Sequence, residues 1–227
     1  MSTLSTFDTT EKKPIPGLIP QKDGSVALTI ECLNGCISPE QLTEIAHIAR
    51  DAKAIIHLTM AQKVMLLGMS EEAGIKALQV LDEAGFSVRK ARDLSQPRVC
   101  VGKPFCKLAL QDTFSLGEYL YKELARTPIP PKLKVAVSGC PAACSWANCM
   151  DLGFVGIKSG YIVMIGGHGG AKPRAGVELC RITTHEEAAK ILKKLAEIFS
   201  KEVKLKARVD KLIQKFGMDG LKQELGI

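Results

Sequence analysis

Aromatic residues are scarce in this chain, at 5% of its 227 residues, with a single tryptophan. No RNP, KH or zinc-finger pattern accompanies its basic charge, so nucleic-acid recognition finds no support in the sequence. No run of eighteen apolar residues occurs, which leaves no segment able to span a bilayer as a helix. The opening thirty residues, MSTLSTFDTTEKKPIPGLIPQKDGSVALTI, lack the basic start and unbroken apolar stretch of a secretory signal. A cytoplasmic protein is expected. Flavin and nicotinamide fingerprints are missing as well, and the chain has no internal repeat.

What is present is a globular composition, 46% hydrophobic and 24% charged. The length suits one large domain or two small ones with a real core. Formal net charge is +7 and the sequence pI is near 9.0. That excess reads either as a solvated basic surface or as positive charge serving a small polyanion held inside the protein. Eight cysteines stand out. In a reducing compartment thiols stay free, and spaced thiols are more often metal ligands or redox groups than disulfides.

Residues 1–22 are polar and carry Pro14, Pro16 and Pro20, which reads as an extended arm. Residues 25–31 are β-like. SPEQLTEIAHIARDA then opens as a helix, with Ser38 at the N-cap, Pro39 at N1 and Gln41 at N3. Residues 54–60 and 64–70 read as two strands, and EEAGIKALQVLDEAG as a second helix ended by Gly85. The order β-α-β-β-α over 23–95 predicts a ferredoxin-like half-domain. A helix at 114–126 and a short strand at 132–139 follow. DLGFVGIKSGYIVMIGG reads as a hairpin turning at Ser159–Gly160, and 166–176 as a glycine-rich loop. The helix THEEAAKILKKLAEIFS has Ala188, Ile191, Leu192, Leu195 and Phe199 on one face. Residues 201–227 read as a continuing basic helical segment. The predicted class is α+β: a half-domain, then an α/β domain over 96–200.

The chemistry concentrates in two cysteine pairs. CVGKPFC sets Cys100 and Cys106 with five residues between them, and CPAAC sets Cys140 and Cys144 with three between. Zinc sites usually use gaps of two to four residues in both pairs. Four thiolates from two Gly/Pro-rich loops suit an iron–sulfur cluster better, although four buried small hydrophobes would also be a home for free cysteines. Pro141 predicts a helix beginning at Cys140, its positive end facing an anionic cluster.

CVGKPFC together with KLKVAVSGCPAACSWANCMDLGFVG resembles the sulfite and nitrite reductase family. CISPEQLTEIA, HLTMAQ, GYIVMIGGHGG and KLIQKFGMDGLKQELG extend the likeness over residues 25 to 227. The resemblance implies a 4Fe–4S cluster ligated by Cys100, Cys106, Cys140 and Cys144, with Cys144 also bridging to the iron of a sirohaem. It implies that Lys132, Lys134 and Arg98 grip a small oxyanion and supply protons, and that Arg92, His57, Thr59 and Gln62 lie along the haem. Gly166, Gly167, Gly169 and Gly170 would offer backbone N–H groups to haem carboxylates. The implied reaction is six-electron reduction of sulfite to sulfide, or of nitrite to ammonia. Electrons would come from an external donor such as a ferredoxin.

Two departures accompany the likeness. His57 and Ala61 stand where the family carries arginines, and the chain holds one copy of a module that full-length members carry twice. Two arrangements are open: a homodimer, with Lys132 and Lys134 of one subunit facing the haem of the other, or a monomer with a more exposed cofactor. Rival readings are a cluster enzyme of tetrapyrrole biosynthesis, a non-catalytic sirohaem carrier or sensor, and a zinc-binding nucleic-acid module. Cys32 and Cys36 form a further pair with three residues between them, open to a second cluster, although burial is the favoured reading for Cys32 beside its predicted strand. Cys149, Cys180, His47 and His185 are assigned to structure, and His168 to the loop or to a cofactor carboxylate. Trp146 is read either as a cover for the cluster or as plain packing.

Overall fold

A computed structural model describes residues 15–89, 96–124, 133–202 and 207–227. Within them the chain forms two sheets, each packed against helices. The first holds β1 (Ile19–Pro20), β2 (Val26–Glu31), β3 (Ile55–Leu58) and β4 (Lys63–Met69), in the order β1-β2-β4-β3 with every neighbour antiparallel. Strands β2 and β3 thus run parallel with β4 between them, which is the split βαβ arrangement. Helices α1 (Pro39–Asp51) and α2 (Glu71–Glu83) cover one face through Ile45, Ile48, Ala49, Ala77 and Leu81. The start of α1 is as its sequence predicts. Ser38 Oγ accepts from Gln41 N–H at 3.1 Å, and Gln41 Oε1 accepts from Ser38 N–H at 3.0 Å. Strand β1 pairs with β2 inside what the sequence suggests is a free arm.

The second sheet holds β5 (Arg98–Val99), β6 (Val135–Ser138), β7 (Leu152–Ile157), β8 (Gly160–Ile165) and β9 (Val177–Ile182), adjacent in chain order. Strands β5, β6 and β7 are parallel, whereas β7, β8 and β9 are antiparallel. Short α3 (Gly102–Phe105) and α4 (Thr113–Leu124) connect β5 to β6, and α5 (His185–Glu202) and α6 (Asp210–Leu225) close the chain. The five apolar positions expected on α5 are all buried. Strand β9 lies in a stretch that the sequence left unassigned. The basic tail is not one continuous helix: α6 starts only at Asp210, and Gly217 breaks the helical dihedrals within it. Val209, Leu212, Leu221 and Leu225 share the core of β5–β9 and α5, so the closing segment belongs to that domain.

Two amides join the halves. Gln62, at φ 59°, donates to Val99 O at 2.6 Å and accepts from Val99 N–H at 2.8 Å. Asn34, at φ 56°, donates to Phe114 O at 3.3 Å. Side-chain amides thus continue across the junction the backbone pairing that each sheet makes internally.

Candidate functional site

Parallel pairing explains how distant cysteines meet. Val99 lies opposite Val137 in the β5–β6 register, so the loops leaving both strands emerge side by side at one end of the sheet. Cys100 opens one loop and Cys140 the other. Cys100 N–H donates to Val137 O at 3.1 Å, and the Thr113 hydroxyl donates to Cys100 O at 2.5 Å. Gly139 N–H donates to Cys100 Sγ at 3.1 Å, a contact that stabilises negative charge on the sulfur. Gly102, at φ 53°, turns the first loop, and a side chain there would meet Thr113 Oγ1 at 2.2 Å.

The helix expected from Cys140 does not form. Three successive turns replace it, closed by Ala143 N–H to Cys140 O, Trp146 N–H to Ala143 O and Cys149 N–H to Trp146 O, at 2.7–3.1 Å. Ala143 (φ 49°) and Trp146 (φ 62°) take left-handed conformations that a helix cannot contain. Ser145 fastens the turns to β6 by donating to Val137 O at 2.8 Å, with its hydroxyl 2.6 Å from that of Ser138. Pro141 therefore starts a turn rather than a helix.

Cys100, Cys106, Cys140 and Cys144 line a single cavity of about 350 Å³, together with Cys36 and Gln62 of the half-domain. Among the described residues, no three His, Cys, Asp or Glu side chains close on one metal ion. Four thiols spread about one cavity are a donor set that fits a four-iron cluster. Cys144 is exposed and the other three are partly covered. Trp146 is half exposed, with the Arg98 guanidinium 6.0 Å from its ring centroid.

Lys132 and Arg92 lie outside the described residues. Lys134 sits one residue before β6. Burial, followed by the charges of Arg89, Lys63 and Arg208, lowers its ammonium to about 8, against an opposing pull from Asp151. Burial also lowers Arg98. His57 is exposed on edge strand β3, and Thr59 Oγ1 caps the following turn by accepting from Ala61 and Lys63 N–H. Gln62 has both amide atoms committed to Val99, so it meets the cavity with its stem. In the glycine loop, Gly166 N–H is taken by Asp151 O at 3.0 Å, and a Cβ on Gly167 would lie 2.6 Å from Asn148 O. Gly169 and Gly170 are open. Cys32 is buried, as expected, and His185 packs its ring 5.7 Å from that of Tyr119.

Residues 90–227 match the family model described as the nitrite and sulphite reductase 4Fe-4S domain, and residues 19–84 match the nitrite/sulfite reductase ferredoxin-like half domain. The chain belongs to the nitrite and sulfite reductase family. Its relatives include an assimilatory-type sulfite reductase of Nitratidesulfovibrio vulgaris, 29% identical over 91% of this chain and 95% of that protein. A nitrite reductase [NAD(P)H] of Bacillus subtilis is 34% identical over 74% of this chain, but only 21% of that protein is covered. The NirA protein structure of Mycobacterium tuberculosis superposes with a TM-score of 0.76 at 26% identity, over 92% of this chain and 42% of that one. Family membership brings sirohaem and a 4Fe–4S cluster as cofactors. Two participants escaped the sequence reading. Asp151, an acid directly before a buried strand, gave a signal that went unused, whereas nothing marked Cys36 as a neighbour of the other four thiols.

Proposed function

We propose that this chain is a reductase of small oxyanions, reducing sulfite to sulfide, with nitrite as the second substrate. The observation that carries the reading is the meeting of Cys100, Cys106, Cys140 and Cys144 on one cavity, within a chain that matches both halves of the family along its length. These cysteines would hold the cluster, and Cys144, the exposed one, would serve the haem iron. When bound, the two groups supply the electrons and the iron at which an oxyanion is reduced.

The chain's own residues have two tasks, anion binding and proton supply. A lysine lowered to about 8 is still mostly protonated at neutral pH, yet gives its proton up more readily than an ordinary one. Lys134 is thereby suited both to attract an oxyanion and to protonate an oxygen leaving as water. Arg98 keeps its charge despite burial, because a guanidinium does not lose its proton in a protein. Lys132 and Arg92 would add to the same positive field. His57, on the exposed edge, would face the haem from the half-domain, with Thr59 fixing the turn beside it. Gly169 and Gly170 are the loop positions whose backbone remains open to a carboxylate.

Electrons would arrive from a separate ferredoxin-like protein. The net charge of +7 and exposed Lys103 and Lys107 beside the cavity loop suit an acidic donor. Pairing of two chains is supported by edge strand β3 and the turn after it, where Ile55, Leu58 and Met60 are exposed. A native mass showing a stable, active monomer would remove the dimer from this reading.

The test is dye-linked turnover. Anaerobic protein given reduced methyl viologen should oxidise it when sulfite is added, and Lys134→Met should suppress that oxidation without changing iron content. Cofactor-loaded protein inert to both sulfite and nitrite would favour a sirohaem carrier.

A further inference from the structure

A buried, fully hydrogen-bonded charge stands outside the cysteine cavity. Asp151 is fully buried between the cysteine turns and β7. Its Oδ2 accepts Lys134 N–H at 2.9 Å and Arg208 Nη2 at 2.7 Å. Its Oδ1 accepts Arg208 Nε at 3.0 Å and Val209 N–H at 3.2 Å. Four donors thus occupy the four lone-pair positions of one carboxylate, two of them a bidentate guanidinium fork.

The arrangement is directional. Leu152 N–H donates to Lys134 O at 3.1 Å, so the residue after Asp151 holds the lysine's carbonyl while the Asp151 side chain holds its N–H. Lys134 is therefore fixed on both sides of its backbone, although it lies beyond the last registered β6–β7 pair, Val135 with Leu152. The carbonyl of Asp151 also accepts Gly166 N–H, tying the glycine loop to the same point. Arg208 and Val209 bring in the start of α6, whose Asp210 lies 3.9 Å from both His168 and Arg174 of that loop.

We propose that Asp151 is the positioning residue for Lys134, holding the lysine's backbone at the end of β6 and clamping the start of α6 and the glycine loop around it. This rests on the role given to Lys134 above. Asp151 touches neither substrate nor cofactor in this scheme. A purely structural ion pair with Arg208 would need only the guanidinium fork, and the direct bond to Lys134 N–H is what separates the two roles.

The charged groups around the lysine are Arg89 and Lys63 from the half-domain and Arg208 and Asp151 from its own domain, with Glu31 already paired to Lys63. Removing the Asp151 charge leaves the cations unopposed, and the lysine then gives up its proton at lower pH.

The experiment uses the anaerobically purified full chain and two readouts independent of turnover. One is the pH midpoint for acetic-anhydride labelling of Lys134, read by mass spectrometry. The other is hydrogen exchange of the Lys134 amide. In Asp151→Asn, which loses the charge but keeps an acceptor, the midpoint should fall from about 8 by about one unit, with amide protection retained. In Asp151→Ala, protection at Lys134 should drop at least about tenfold. If Asp151→Ala does not fold, the Asn variant still decides by its labelling midpoint. A lowered melting temperature with both Lys134 readouts unchanged would overturn the proposal and leave a structural ion pair. Both readouts moving, while Lys134→Met keeps full turnover, would sustain the positioning and refute the catalytic role of the lysine.

Discussion

The two sheets are built from similar parts and do different work. In the half-domain every neighbouring pair is antiparallel, and only β2 and β3, which do not touch, run parallel. It contributes walls: Asn34, Gly35, Cys36 and Gln62 line the cavity from outside. In the second sheet β5, β6 and β7 are parallel, so the loops leaving them emerge at one end. Every ligand assigned to the cluster follows one of those strands. Parallel pairing gathers residues remote in sequence, a rule also seen where open α/β sheets bind ligands at the carboxyl ends of their strands.

That contrast is broken most severely at the cysteines. Replacing Cys140 with Ala should abolish cluster assembly, so that iron and acid-labile sulfide fall to background in the purified protein. Replacing Cys36, which shares the cavity from the half-domain side, should leave both unchanged. Loss of iron in the Cys36 variant would mean that the half-domain supplies a ligand.

The next effect is kinetic. Lys134→Met should lower sulfite turnover by about 10²–10⁴-fold with full cofactor content, the range typical of a lost proton donor. In the native protein turnover should decline above about pH 8, where Lys134 loses its proton. Stability carries the complementary sign. The folded chain holds this ammonium below its ordinary 10.5, so between about 8 and 10.5 the unfolded chain binds the proton more tightly. Stability should rise with pH across that window, and the rise should vanish in Lys134→Met.

A smaller change probes the junction. Gln62→Leu removes both bonds to Val99 and leaves that backbone unpaired, at a cost of about 1–3 kcal/mol by urea unfolding. The smallest change is expected at the exposed edge. His57→Ala should alter stability by less than about 0.5 kcal/mol, so any fall in sirohaem occupancy would report contact with the haem.

Much of this comparison was legible in the sequence, because its signals are local. The Ser38-Pro39-Gln41 start, the Gly85 stop and the apolar stripe of α5 depend on residues within a turn or two of each other, and each gave the element it predicts. The two cysteine spacings likewise marked the cavity. Pro141 misled, because proline suits the first position of a turn as well as that of a helix. The deciding contacts, Ser145 onto Val137 and the left-handed Ala143 and Trp146, arise from packing on β6. Strand β9 was missed because its half-exposed pattern is set by pairing with β8. Asp151, and the bonds that Gln62 makes to Val99, were missed for a related reason. Their partners lie 17 to 58 residues away, and no local pattern encodes a side chain that completes another segment's backbone bonds.

The most direct measurement is an absorption spectrum of anaerobically purified protein, with iron and acid-labile sulfide counted on the same sample. We expect a chlorin-type red band, with iron exceeding the four of the 4Fe–4S cluster in each chain. Zinc in place of iron, or four irons without the chlorin band, would contradict a sirohaem and cluster joined at Cys144.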